Sequence, residues 1–172
     1  MILRVMIVED EDMIRNGLVK TLPWADMGCT VIGSAGDGKS GLEQIVERRP
    51  DVVITDIRMP EMDGFEMLER ALAVYRFHII IFTSYAEFDY AQKAISIHAY
   101  DYLLKPLDEK RLAELLARIR ETEEPQEQLE TPGSFSAEEL LKRLAYADEY
   151  VETALRRIVA ASDTKLSIEE LA

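Results

Sequence analysis

Residues 50–60 read Pro50-Asp51-Val52-Val53-Ile54-Thr55-Asp56-Ile57-Arg58-Met59-Pro60. Val52, Val53 and Ile54 are β-branched and apolar without alternation, the pattern of a strand covered on both faces. Asp56 follows that run directly, and Ile57-Arg58-Met59-Pro60 after it is no helix start, so a carboxylate is presented from a strand end into a loop. Ile79-Ile80-Ile81-Phe82 repeats the buried-strand pattern. Working outward, strand runs are expected at 3–8, 30–33, 51–55, 78–83 and 101–104. Helical periodicity lies between and after them, near 12–22, 39–48, 63–75, 87–97 and 108–120. Pro50 and Pro106 mark boundaries that neither neighbouring helix can cross. Five strands each followed by a helix predict an α/β fold, a five-stranded parallel doubly wound sheet with helices on both faces. Such sheets bind ligands at the carboxyl ends of their strands.

Charged and polar residues collect at those ends. Glu9 and Asp10 follow the first run and Asp56 the third. With those strands adjacent, three carboxylates converge and repel one another, which implies a bound cation, Mg²⁺ with oxygen ligands. Helix capping explains Glu11 and Asp12 well but Asp56 poorly. Thr83 and Lys105 end the fourth and fifth runs. A hydroxyl and an ammonium beside a metal-bound carboxylate fit a phosphoryl group on Asp56. Lys105-Pro106 is a candidate cis peptide.

Across residues 1–121 the chain resembles the receiver domain of two-component response regulators, a flavodoxin-like fold. The resemblance rests on Val8-Glu9-Asp10-Glu11, the 50–60 stretch, Met62-Asp63-Gly64, Thr83 and Lys105-Pro106. It implies that Asp56 accepts phosphate from the phosphohistidine of a sensor histidine kinase. It further implies that Glu9, Asp10, Asp56 and the backbone carbonyl of Arg58 hold Mg²⁺, and that Thr83 and Lys105 bind the phosphoryl group. Thr83 and Tyr102 would form the switch, the tyrosine turning inward as the threonine moves toward the phosphate. Such a protein catalyses only its own phosphorylation and dephosphorylation and is not an enzyme in the usual sense. Trp24, the 57–60 run and Ser84-Tyr85-Ala86-Glu87-Phe88-Asp89-Tyr90-Ala91 resemble the branch fused to AraC-type helix-turn-helix domains. His98 stands where that branch usually has glycine, and Glu9 replaces a more frequent aspartate. Arg58 and Tyr85 occupy positions that tune dephosphorylation in the family.

Gly33-Ser34-Ala35-Gly36-Asp37-Gly38-Lys39-Ser40 also matches the phosphate-binding P-loop pattern, which would make the chain a nucleotide-binding protein. Asp37 argues against it by placing a carboxylate in an anion cradle, and that reading leaves Glu9, Asp10, Thr83 and Lys105 without a role. Lys39 then reads as a surface lysine, as does His78 as a surface histidine, while Met59, Met62 and Met67 fit packing.

Residues 122–135 turn to Glu, Gln, Pro and Gly and read as a linker. Ser136 and Glu139 form a capping box, and Leu140, Leu144, Ala147, Val151, Ala154 and Ile158 follow in steps of four and three. A helix over 136–161 follows as a C-terminal extension. It either docks on its own domain or forms a dimeric coiled coil, and in the latter case the chain could be a constitutive dimerisation module with a degenerate receiver. The ending Leu166-Ser167-Ile168-Glu169-Glu170-Leu171-Ala172 resembles the start of an AraC-type helix-turn-helix, so 162–172 is expected to open a truncated output domain.

The 172 residues carry 33 acidic and 20 basic side chains, a net charge of −13. Binding DNA depends on Lys and Arg, so DNA contact is expected only through an output domain outside this sequence. Residues 1–121 hold 21 acids and 15 bases, and residues 122–172 hold 12 and 5, so the acidity per residue is greatest beyond the receiver. The single cysteine, Cys29, fits a buried thiol in a reducing compartment. Ile2–Val8 is interrupted by Arg4 and is neither a signal peptide nor a membrane span, so a cytoplasmic protein without membrane contact is expected.

Overall fold

A computed structural model describes residues 1–122. The linker reading from residue 123 onward, the 136–161 helix with its seam, and the 162–172 segment lie outside the described residues. The elements alternate as β1 (Leu3–Val8), α1 (Asp12–Thr21), β2 (Cys29–Ala35), α2 (Gly38–Arg48), β3 (Val52–Thr55) and α3 (Gly64–Leu72). They continue as β4 (His78–Thr83), α4 (Phe88–Ser96), β5 (Asp101–Leu104) and α5 (Glu109–Thr122). All neighbours pair in parallel, in the order β2-β1-β3-β4-β5, the flavodoxin-like doubly wound arrangement. Helix α5 includes Thr122, the first residue of the stretch read as linker. Among the described residues no helix is long and apolar enough to cross a membrane.

Successive side chains of each strand face opposite sides of the sheet, and each side is covered. Met6 and Val8 of β1, with Val53, Ile79 and Ile81, pack against Ile45 of α2, Phe65, Met67 and Leu68 of α3, and Ala91 and Ala94 of α4. Val5 and Ile7, with Val52, Ile54, Ile80 and Phe82, pack against Leu18 of α1 and Leu112, Leu115, Leu116 and Ile119 of α5. Met59 and Met67 are buried in the first of these cores. Cys29 is buried and free, and burial pushes its thiol up.

Local chemistry sets the helix ends. Leu22-Pro23 stops α1 at Thr21. Asp63 caps α3 by accepting the Glu66 N–H at 2.8 Å. Past α4, His98 adopts φ 56°, the left-handed conformation that glycine fills most easily and histidine tolerates. His78 differs from its surface reading: it is half-buried and packs edge-on to Tyr100, ring centroids 5.5 Å apart, because β4 starts beneath the α4–β5 turn.

Two glycines define opposite constraints. A Cβ on Gly64 would lie 2.1 Å from the Asp56 carbonyl oxygen, so only glycine lets α3 begin this close to the end of β3. Gly17, inside α1, has nothing among the described residues within 4 Å of its Cβ position. Gly64→Ala is therefore expected to lower stability by about 2 kcal/mol or more through backbone displacement. Gly17→Ala should raise it by roughly 0.5–1 kcal/mol by restricting the unfolded chain. Urea denaturation of both variants checks the opposite signs.

Candidate functional site

The sheet ladder delivers the candidate residues to one edge. Val8 lies opposite Thr55 in the β1–β3 register, and the Asp56 N–H donates to the Val8 carbonyl at 3.0 Å. Glu9 is tied to the other neighbour by its N–H donating to the Ala35 carbonyl at 3.0 Å. Thr83 pairs with Leu104, and the Lys105 N–H donates to the Thr83 carbonyl at 2.9 Å. Glu9, Asp10, Asp56, Thr83 and Lys105 thus all sit at the carboxyl ends of strands, around the β1–β3 boundary where strand order reverses. The Lys105-Pro106 peptide is cis, as its sequence allowed.

Glu9, Asp10 and Asp56 each bring a carboxylate oxygen within 4.8 Å of the others. Glu9 and Asp56 are buried, while Asp10 is the most open of the three. One ammonium holds the buried pair: Lys105 Nζ lies 2.8 Å from Asp56 Oδ2 and 2.8 Å from Glu9 Oε2. The other Asp56 oxygen, Oδ1, accepts the Ile57 N–H at 2.5 Å. Burial pushes the Glu9 carboxyl up, and Asp56 adds to the effect while Lys105 opposes it. Burial works against charge on Lys105, but hydrogen bonds to Asp56 and Glu9 outweigh it and raise its affinity for the proton. One positive charge among three carboxylates leaves an excess of two negative charges on hard oxygen donors. That is a chemistry suited to Mg²⁺.

Thr83 is fully buried, and its Oγ1 has no hydrogen-bond partner among the described residues. A buried hydroxyl in that condition costs about 1–3 kcal/mol and is ready to bond an arriving group. Tyr102 is turned inward: it is buried, and its hydroxyl donates to the Tyr85 carbonyl. Burial, followed by the field of Asp56, raises the phenol well above its ordinary range. Beside these residues, Ile14, Gly17, Leu18, Phe82, Lys105 and Leu107 line part of a groove of about 520 Å³ between α1 and the β5–α5 connection.

The P-loop pattern has a different use. Asp37 accepts the Ser40 N–H at 2.7 Å and the Ser40 hydroxyl at 2.8 Å, so a carboxylate already fills the start of α2 where a phosphate would have to sit. A Cβ on Gly38 would meet the Met62 carbonyl oxygen at 2.2 Å, so this glycine serves close packing. Lys39 is exposed, as expected. The Ser40 bonds hold the Asp37 carboxyl below the usual range. Its capping contribution is therefore complete above the unfolded value near 3.8 and is lost as pH falls through the lower folded value. Asp37→Ala should cost about 1 kcal/mol at neutral pH, and denaturation series should converge with the parent chain in acid.

The sequence reading missed the surroundings of Arg58. Its side chain leaves the β3–α3 loop to stack over Tyr85 and bond Tyr90 and Glu87. Tyr85 and Tyr90 fall in the 84–91 run and Arg58 in the loop after β3, and nothing in residue spacing pairs them.

The family model for the response regulator receiver domain matches residues 5–117. The transcriptional regulatory protein HptR of Staphylococcus aureus (strain N315) is 34% identical over 171 residues, 98% of this chain and 68% of that protein. An uncharacterized response regulatory protein of Staphylococcus epidermidis is 34% identical over 170 residues, covering 98% of this chain and 67% of its own length. Among solved structures, the REC domain of AraT, a response regulator from Geobacillus stearothermophilus, is 39% identical with TM-score 0.65 and covers 71% of this chain and 95% of that one. A LuxR-family DNA-binding response regulator from S. aureus is 28% identical with TM-score 0.62, covering 69% and 98%. With this fold, this edge of carboxylates and these relatives, the chain belongs to the response regulator receiver family and carries the receiver domain of a transcriptional response regulator.

Proposed function

We propose that Asp56 is the phosphoacceptor of this receiver and that a sensor histidine kinase is its donor. The observation that carries the reading is the placing of Asp56. It is buried, held by Lys105 at 2.8 Å and grouped with two further carboxylates at the strand-order reversal. Glu9, Asp10, Asp56 and the Arg58 carbonyl would hold Mg²⁺, which when bound supplies positive charge to offset the negative charge on the phosphoryl oxygens. A carboxylate oxygen of Asp56 forms the new O–P bond while the P–N bond of the donor's phosphohistidine breaks. The electron pair returns to the imidazole nitrogen, which takes up a proton from solvent. Lys105 neutralises charge throughout, and the Thr83 hydroxyl gains a phosphoryl oxygen as its partner. The groove beside α1 is the face offered to the kinase. Tyr102, bonded to the Tyr85 carbonyl next to the β4–α4 loop, carries the change toward α4, β5 and α5.

The same reading extends past the receiver. The domain limits are 1–121 for the receiver, 122–135 for a linker, 136–161 for a signalling helix and 162–172 for the start of an AraC-type output domain. The protein works in the cytoplasm, with Leu140, Leu144, Ala147, Val151, Ala154 and Ile158 forming a dimer seam. Its catalysis is confined to its own phosphorylation and dephosphorylation.

Incubation with a small phosphodonor, read by intact mass, tests the acceptor. The chain should gain one phosphoryl group with Mg²⁺ and none with chelator, and Asp56→Asn should gain none. Full labelling of Asp56→Asn would sink the assignment. Lys105→Ala should slow labelling by about tenfold or more, since it removes the buried countercharge. Light scattering of the full chain and of a chain ending at residue 135 tests the seam: only the longer one should dimerise with beryllofluoride and Mg²⁺. Two monomers, or two equal dimers, count against it.

A further inference from the structure

The loop between β3 and α3 carries Asp56 at one end and Gly64 at the other. Its backbone is fixed at Ile57, whose N–H bonds Asp56 and whose carbonyl accepts the Gly64 N–H at 2.8 Å, and at Met62, whose N–H bonds the Pro60 carbonyl at 2.8 Å. Arg58 lies between these points, and its side chain ties it to another element. The guanidinium carbon sits 4.2 Å from the Tyr85 ring centroid and 5.8 Å from that of Tyr90. Nε donates to the Tyr90 hydroxyl at 2.9 Å, and Nη2 lies 3.4 Å from Glu87 Oε1.

These contacts differ in weight. The Glu87 pair is solvent-exposed, 53% on each side, and holds Arg58 weakly. The rings constrain more, because a planar guanidinium stacked on one tyrosine and bonded to another has a single orientation. Tyr90 is itself seated: its ring packs on Phe65 of α3 at 6.0 Å and edge-on to Tyr85 at 6.3 Å. Residue 58, two positions after Asp56, is thus held from the first turn of α4 and from the β4–α4 connection before it.

We propose that Tyr90 is a positioning residue for the cation site, acting through Arg58: by fixing the arginine side chain from α4 it fixes the backbone carbonyl of residue 58 toward the three carboxylates. The inference rests on the reading of that carbonyl as a metal ligand. The arrangement parallels a metal ligand oriented by an outer partner, with a side-chain clamp in place of a direct bond to the ligand atom. It also makes the occupancy of the site and the setting of the first turn of α4 mutually dependent, since any coupling between two sites is reciprocal.

The test is Mg²⁺ binding by titration calorimetry on the whole chain for four proteins: parent, Arg58→Ala, Tyr90→Phe and the double variant. Tyr90→Phe keeps the ring and its packing, so thermal unfolding should stay close to the parent. Each single variant should weaken Mg²⁺ binding by about three- to tenfold, and the double variant no more than Arg58→Ala alone. Amide exchange over residues 88–91 should slow on adding Mg²⁺ to the parent and respond less in Tyr90→Phe. Unchanged affinity in Tyr90→Phe, or losses that multiply in the double variant, would overturn the clamp while leaving the acceptor site intact. A parent chain that binds no Mg²⁺ overturns the metal reading and the clamp with it.

Discussion

One ammonium between two buried carboxylates is the constraint around which the rest is arranged. Glu9 and Asp56 end neighbouring strands and cannot both carry charge at close range in a dry site without compensation. Lys105 supplies it from the end of β5, two strands away from β3 in the sheet, so its side chain must reach across β4. The sheet order and the register of three strands are therefore prerequisites of the electrostatics. The compensation is incomplete by design of the residue count: with Asp10 at the rim, the site keeps a demand for positive charge.

The centre of the fold was readable because burial on both faces removes polar residues from a strand. Val52-Val53-Ile54 and Ile79-Ile80-Ile81-Phe82 announce themselves, and the functional residues are whatever follows them. Of the two edge strands, β2 was harder. Most of β2 is half-buried, so its sequence mixes Cys, Thr, Gly and Ser with Val and Ile, and it runs from Cys29 to Ala35, beyond the 30–33 span its apolar core indicated. Helix α3 shows the opposite error. Its apolar period continues through Tyr75, but the helix ends at Leu72 and Tyr75 bonds the Ile45 and Pro50 carbonyls instead.

The site divides along the same line. Positions set by strand ends, such as Asp56, Thr83 and Lys105, follow from pattern alone. Contacts made by long side chains between loops do not, and the Arg58 stack on Tyr85 and Tyr90 is of that kind. The glycine-rich stretch before α2 teaches the converse. It satisfies a phosphate-binding pattern letter by letter, yet the one carboxylate within it occupies the helix start. A pattern of permissive residues states what backbone is possible, and the charged residue among them states what it is used for.

The far end of α5 has a consequence of its own. Helix α5 begins beside the carboxylate edge, just after Lys105, and its 14 residues carry the chain about 21 Å back. Arg120 in its last turn lies against Gly28, whose carbonyl accepts the Leu3 N–H at the opposite edge of the sheet. The described chain therefore ends, at Thr122, near the amino-terminal edge of the sheet, opposite the edge that carries Asp56. On the proposed function, a charge added at Asp56 would be felt at this end through the seating of α5, whose Leu112, Leu115, Leu116 and Ile119 pack into the core.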